Sequence, residues 1–161
     1  MLKRVVVGMA DLKVSRPPCI MTTFGLGSCV GVAFYDNITK ISGLAHIMLP
    51  SSKLAQNITN PAKFADAGIE KLLKDMLDFG ARKYNIKAKI AGGAMMFNVI
   101  DLNDIFKIGL RNVKAVKEKI KELDIELLSE DTGENYGRTI ELNSADGSLL
   151  IKTIRYGVRI I

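Results

Sequence analysis

The sequence has no tryptophan, one histidine, two cysteines and four prolines. Two cysteines make no disulfide framework, so Cys19 and Cys29 are read as free thiols of a reducing cytosol. One histidine and two cysteines ten residues apart fall short of the ligand count of a zinc site. The stretch "DLNDIF" lacks the spacing of a calcium loop. No apolar run is long enough to span a bilayer, so no membrane insertion is expected. The net charge of +6 raises the question of nucleic acid. No run of five basic residues occurs, however, and the few Phe and Tyr are scattered, which leaves no stacking platform. The charge is read as a solvated basic surface, which also suits an acidic protein partner. Neither a metal nor a cofactor is expected.

What remains is an ordinary globular composition, 48% hydrophobic and 25% charged over 161 residues, read as one domain spanning 1–161. The opening "MLKRVVVGMADLK" is basic, but its apolar stretch is short and soon meets Asp11 and Lys13. It reads as a first strand rather than a signal peptide, and the expected location is the cytoplasm. "KVSRPPCIMTTF" reads as a loop broken by Pro17 and Pro18, with a short extended stretch near 20–23. "VGVAFYD" and "ISGLAHIML", joined by "NITK", read as a hairpin. The clearest helix is "NPAKFADAGIEKLLKDMLDFGAR": Asn60 at the N-cap, Pro61 at the first turn, Gly80 at the stop. Ala65, Ile69, Leu72, Leu73, Met76 and Leu77 form its apolar stripe.

"IKAKIAGGAMMF" is a strand ending at Gly92 and Gly93, and "NVIDLNDIF" a loop. A second helix begins at an Asn112 cap, with Val113, Val116, Ile120 and Leu123 inward and its lysines in water. "IELLSED" is a strand, "GRTIELNSADGSLLIKTI" a hairpin around "ADG", and "YGVRII" one more strand. Strands outnumber helices and run on directly from one to the next. This predicts an α+β fold with mixed or antiparallel sheets and two main helices, and argues against a doubly wound parallel sheet.

Two side chains carry potential chemistry. "GLGSCVG" is no dinucleotide or phosphate loop, because its glycines fall at 25, 27 and 31 and a β-branched run comes next instead of a helix. It resembles a tight turn that presents a nucleophile. Gly27 and Ser28 precede Cys29 and let backbone N–H groups converge beside the sulfur, as an oxyanion hole requires. Taken singly, Cys29 and His46 are ordinary core residues.

Pairing changes that. With Asp36 opposite Ile41, partner numbers keep a constant sum, so Gly31 meets His46 and Cys29 meets Met48. Cys29 and His46 then share a face as diagonal neighbours, about 7–8 Å apart at Cα. Gly31 is expected to leave room for the ring. A thiol beside an imidazole is an activated nucleophile, with the histidine expected to lower the thiol pKa. A third group usually orients the ring, and the nearest polar candidates are Thr22 and Thr23. Cys19, without a partner, reads as structural.

"TFGLGSCVGVAFYD", "GLAHIMLP", "AKIAGGAMMF", "IGLRNV" and "EDTGENYGRTIEL" occur in this order. Together they resemble the CheD family of chemoreceptor glutamine deamidases. The resemblance implies Cys29 as nucleophile and His46 as its base, and it selects Thr23 over Thr22 as the orienting residue. It also implies sandwiched mixed β-sheets flanked by helices, similar to the cytotoxic necrotizing factor deamidases. The implied substrates are glutamine side chains on the cytoplasmic helices of methyl-accepting chemotaxis receptors, and an implied partner is a CheC-type phosphatase. One departure stands out. The family often carries D-x-G-G where this chain reads "DTGEN", so Glu134 stands in place of a glycine.

Overall fold

A computed structural model describes residues 1–96 and 107–161. The reading of "NVIDLNDIF" as a loop lies outside the described residues. Two five-stranded sheets stack face to face. The first sheet is ordered β1(Lys3–Val6), β3(Cys19–Leu26), β8(Arg138–Asn143), β9(Leu149–Thr153), β10(Gly157–Ile160). The second is ordered β2(Leu12–Ser15), β5(Ser42–Ile47), β4(Val30–Asp36), β6(Ile86–Gly92), β7(Glu126–Thr132). Helices α1(Ala65–Phe79) and α2(Ile108–Glu122) cover the second sheet on the side away from the first. The pairs β1–β3 and β6–β7 are parallel and the rest antiparallel, so both sheets are mixed, as the α+β reading expects.

Strand period two divides the interior into two cores. Val30, Val32, Phe34, Ala45 and Ile47 face the helices and meet Ile69, Leu72 and Met76 of α1 and Val116 and Ile120 of α2. Cys29, Ala33, Leu44 and Ala91 face the first sheet and meet Met21, Ile140, Leu142 and Ile151. This explains why β4 is buried at every position, whereas β8 alternates buried and half-buried residues.

The hairpin register is the one deduced from the sequence: Phe34 opposite Gly43, Gly31 opposite His46. The ladder ends at Val30–Ile47, one step short of Cys29 and Met48. Asp36 closes the turn, its Oδ1 accepting from the N–H groups of Ile38 and Thr39.

Several elements differ from expectation. Leu12–Ser15 is a strand that runs into the predicted loop from Lys13 onward, because its backbone completes the edge of the second sheet against β5. The extended stretch near 20–23 is an eight-residue strand. Asn60 does cap, but it caps a single 3₁₀ turn, Pro61–Lys63. Phe64 is extended, because Lys63 and Ala65 bond to the chain leaving β5, and α1 starts only at Ala65. Leu77 is partly exposed, although the other five stripe residues are buried. Helix α2 begins four residues before Asn112, which is buried within it. Its lysines do not all face water: Lys119 is buried and paired with Glu70 and Glu122.

Candidate active site

Thr23 and His46 meet between the sheets, and Cys29 is buried at the start of β4 on the side facing the first sheet. Thr23 sits on the inward face of β3, and His46 on the face of β5 turned toward it. Cys29 lies in the turn that leads into β4. Just beyond Thr23 the pairing of β3 with β8 slips, and Gly25 adopts φ 68°. Only a residue without Cβ takes that conformation freely. The slip is a bulge, a device that bends a strand and re-aims the chain beyond it. Here Phe24 and Gly25 are exposed, and Leu26 is buried again just before the Cys29 turn.

That turn is held through its carbonyls. Gly27 C=O accepts from Ala94 N–H at 2.8 Å, and Cys29 C=O from Gly93 N–H at 2.8 Å. Ser28 C=O accepts from Asn112 Nδ2 at 3.0 Å, and the same amide donates to Met48 C=O at 2.9 Å. A Cβ on Gly92 would collide with the Cys29 carbonyl, and one on Gly109 with the Ala94 carbonyl. The glycines of "AGGAMMF" and "IGLRNV" therefore permit three backbones to approach closely. Gly31 is different. A Cβ there would lie 2.5 Å from Cδ1 of Ile140, so the space opposite His46 holds the other sheet's side chain and not the imidazole ring.

The histidine is almost fully enclosed, and one hydrogen-bond chain fixes its tautomer. Thr23 Oγ1 lies 2.7 Å from Val7 C=O and 2.8 Å from His46 Nδ1. A carbonyl only accepts, so the single hydroxyl proton is committed to Val7. Nδ1 must therefore carry the proton and donate to Oγ1. Nε2 is left as a bare lone pair, with no hydrogen-bond partner among the described residues. Thr22, one step along β3, faces the opposite side. Thr23 is thus the threonine that meets the ring.

Burial holds the His46 pKa below its ordinary 6.5. Burial also pushes the Cys29 thiol up, partly offset by its own backbone N–H. The lowered thiol pKa expected from the sequence is not found. Desolvation disfavours both charged forms, and Cys29 Sγ makes no hydrogen bond to Nε2 at rest. The resting pair is a neutral thiol and a neutral imidazole. Cys29 is 8% exposed, and the side chain of Met96 would pack against any Cβ on Gly27. The clefts lined by Lys117 and Glu130, and by Lys53 and Arg111, are not lined by Thr23, Cys29 or His46. Among the described residues no three His, Cys, Asp or Glu side chains cluster as a metal site. Cys19 is buried between the sheets, its N–H bonded to Ser144 Oγ.

The sequence reading missed Asn112, Gly93, Ala94 and the Val7 carbonyl. Only Asn112 left a signal. It sits in the apolar column of its helix, three residues after Gly109 and four before Val116, where an amide needs buried partners.

Comparison with known proteins adds a separate line of observation. The family described as "CheD chemotactic sensory transduction" matches residues 48–153. A Caldanaerobacter subterraneus protein named "Probable chemoreceptor glutamine deamidase CheD" is 55% identical over 155 residues, 96% of each chain. Proteins of the same name from Lachnoclostridium phytofermentans and Clostridium botulinum are 52% and 51% identical, covering 92% and 98% of each chain. Among solved structures, the Bacillus licheniformis hypothetical protein YfiH superposes with a TM-score of 0.48 at 16% identity. It covers 76% of this chain and 50% of that one. The family match begins two residues past His46, so it stands independently of the Thr23–His46–Cys29 geometry. On the extent of that match, and on relatives more than half identical along nearly its whole length, this chain belongs to the CheD family.

Proposed function

We propose that this chain is a cytoplasmic protein-glutamine deamidase acting on methyl-accepting chemotaxis receptors, with Cys29 as nucleophile, His46 as base and Thr23 as the residue that orients the ring. The observation that carries the proposal is the unpartnered Nε2 of His46, whose tautomer Thr23 dictates, on the same inter-sheet face as Cys29. The names borne by the relatives supply the substrate class. No described helix is long and apolar enough to cross a membrane.

The neutral resting pair sets the course of the reaction. A side-chain amide of a receptor glutamine enters over Cys29. Nε2 takes the thiol proton as Sγ attacks the amide carbon, so charge develops only during attack. The oxyanion is stabilised by backbone N–H groups of the turn holding Gly27, Ser28 and Cys29. The imidazolium then gives its proton to the departing nitrogen. Ammonia leaves, and a thioester joins Cys29 to the glutamyl side chain. Water, deprotonated by Nε2, hydrolyses the thioester. Glutamate is released and the thiol regains its proton. Each cycle consumes one water and one amide and yields one carboxylate and one ammonium.

Incubation with receptor cytoplasmic fragments and peptide mass mapping tests this. The expected result is the mass change of an amide-to-acid exchange at discrete glutamines, lost in Cys29→Ala with the fold intact. Ammonia release by purified Cys29→Ala would falsify the assignment. Main-chain cleavage products would mark a thiol protease instead. Unmodified receptor together with tight binding of a CheC-type phosphatase would mark an adaptor. Binding to such a phosphatase alongside deamidation is part of the proposal, and co-elution of the two purified proteins checks it. Slow thiol labelling at neutral pH does not separate enzyme from adaptor, because a thiol held neutral by burial labels slowly in either case.

A further inference from the structure

We infer that Asn112 is a positioning residue: by holding the Ser28 carbonyl it turns the Cys29 N–H toward the side on which the oxyanion of the attacked amide forms. The inference rests on the proposal that Cys29 is an acyl-transfer nucleophile. Asparagine is a weak helix former, yet Asn112 lies inside α2 and is fully buried. A buried amide is costly unless it is bonded. Its Nδ2 spends both hydrogens on carbonyls from two other segments, Ser28 before the thiol and Met48 two residues after His46. One side chain thus ties the nucleophile turn and the exit of the histidine strand to one helix.

Peptide geometry converts that tie into an orientation. In a planar trans peptide the C=O of one residue and the N–H of the next point in opposite directions. The Ser28–Cys29 bond is trans. With Ser28 C=O held toward α2, Cys29 N–H points away from α2. With Gly27 C=O held by Ala94 N–H, Ser28 N–H is fixed in the same manner. Among the described residues neither N–H donates to a backbone carbonyl. Two fixed donors not spent on the backbone are what an oxyanion requires. The Cys29 N–H lies close enough to its own sulfur to offset part of the effect of burial on the thiol.

The three carbonyl anchors are not equivalent. Gly27 and Cys29 are held by main-chain N–H groups, which survive most substitutions. Ser28 depends on a side chain. Removing that side chain frees one peptide plane, and the plane it frees carries the Cys29 N–H.

The test uses the full chain with Asn112→Ala and Asn112→Asp. Three quantities are measured: kcat and KM for glutamate formation, affinity for a peptide aldehyde, and the rate of alkylation of Cys29 by iodoacetamide at alkaline pH. The aldehyde accepts the thiol across its C=O as a thiohemiacetal, so it needs the oxyanion donors. Iodoacetamide is attacked at a saturated carbon with loss of iodide, so it does not. In both variants kcat and aldehyde affinity should fall by about 10²-fold, the scale of one lost oxyanion donor, with KM and alkylation within about twofold.

Values of kcat and aldehyde affinity close to wild type would overturn the inference. So would alkylation that slows in step with kcat, because that marks a general loss of the turn. Should both variants fail to fold, the wild-type protein decides by NMR. Slow exchange of the Asn112 side-chain hydrogens and a downfield shift of the Cys29 amide proton on aldehyde binding support the inference; free-amide exchange, or no shift, sinks it. A wild-type chain that binds aldehyde but makes no glutamate refutes the deamidase proposal alone.

Discussion

A hydroxyl with one proton and two neighbours decides the chemistry of His46. Because Val7 C=O takes the Thr23 proton, Nε2 is the basic nitrogen, and a buried neutral ring is what the proposed general base requires. Thr23→Val keeps the shape and removes both bonds. Its kcat should fall by about 10²-fold, the lower end of what a correctly poised base contributes. The directions of the two shifts set the pH dependence. His46 titrates below 6.5 in the folded protein, so kcat/KM should be flat through neutral pH and drop only below that value. An acid limb centred above 6.5 would contradict the buried neutral imidazole.

Stability shares the sign. The unfolded ring binds a proton that the folded ring resists, so the contribution is complete above pH 6.5 and is lost as pH falls toward the folded value. The raised thiol acts at the other end: its contribution is present below the ordinary 9.0 and is lost as pH rises through the folded value.

At the scale of elements, the site is built where β3, β4, β5, β6 and α2 end close together, and glycines set the spacing. Glu134 is the informative exception. It has φ 61°, a left-handed conformation that glycine adopts freely, and its C=O accepts from Met95 N–H at 2.8 Å. The departure noted in the sequence thus falls on a strained backbone position. Glu134→Gly relieves about 1–2 kcal/mol of local strain and adds about 0.5–1 kcal/mol of chain entropy cost. Thermal unfolding should show a stability unchanged or raised by up to about 1.5 kcal/mol, with unchanged deamidation. A clear loss of stability would mean that the Glu134 side chain makes a contribution larger than the strain.

For the molecule as a whole, the site exists only because two sheets stack. Thr23 belongs to one and His46 to the other, and the contact between them is sealed by Ile140, Leu142, Leu44 and Ala33. Gly31 marks how closely the sheets approach, with Ile140 Cδ1 in the place of its missing Cβ. Gly31→Ala should cost about 1–3 kcal/mol by overpacking. Ile140→Val deletes that same methyl group. In the double mutant much of the Gly31→Ala cost should disappear, a non-additivity that denaturant titration of the four proteins measures. Strictly additive costs would place the obstruction elsewhere.

Much of this was legible along the chain. Strand period, the even connection after Asp36 and the helical stripe of Ile69, Leu72 and Met76 fixed the hairpin register and α1, because near-neighbour spacing decides both. That put Cys29 and His46 on one face. Three kinds of feature were not legible. Leu12–Ser15 becomes a strand only because β5 offers it an edge. Asn112 looks like a helix cap until the Ser28 and Met48 carbonyls, far away in sequence, arrive beside it. The thiol pKa was expected to fall, and it rises because burial is a property of the packed sheets and not of the residues next in line.

Local periodicity and turn chemistry are short-range, so the amino-acid order alone determined which residues could pair and which faces they share. Long-range contact decided the rest: which threonine meets the ring, which ring nitrogen is left bare, what fills the space above Gly31, and which side chain holds the Ser28 carbonyl. Those outcomes depend on desolvation and on hydrogen bonds between segments that meet only when both sheets and α2 are in place.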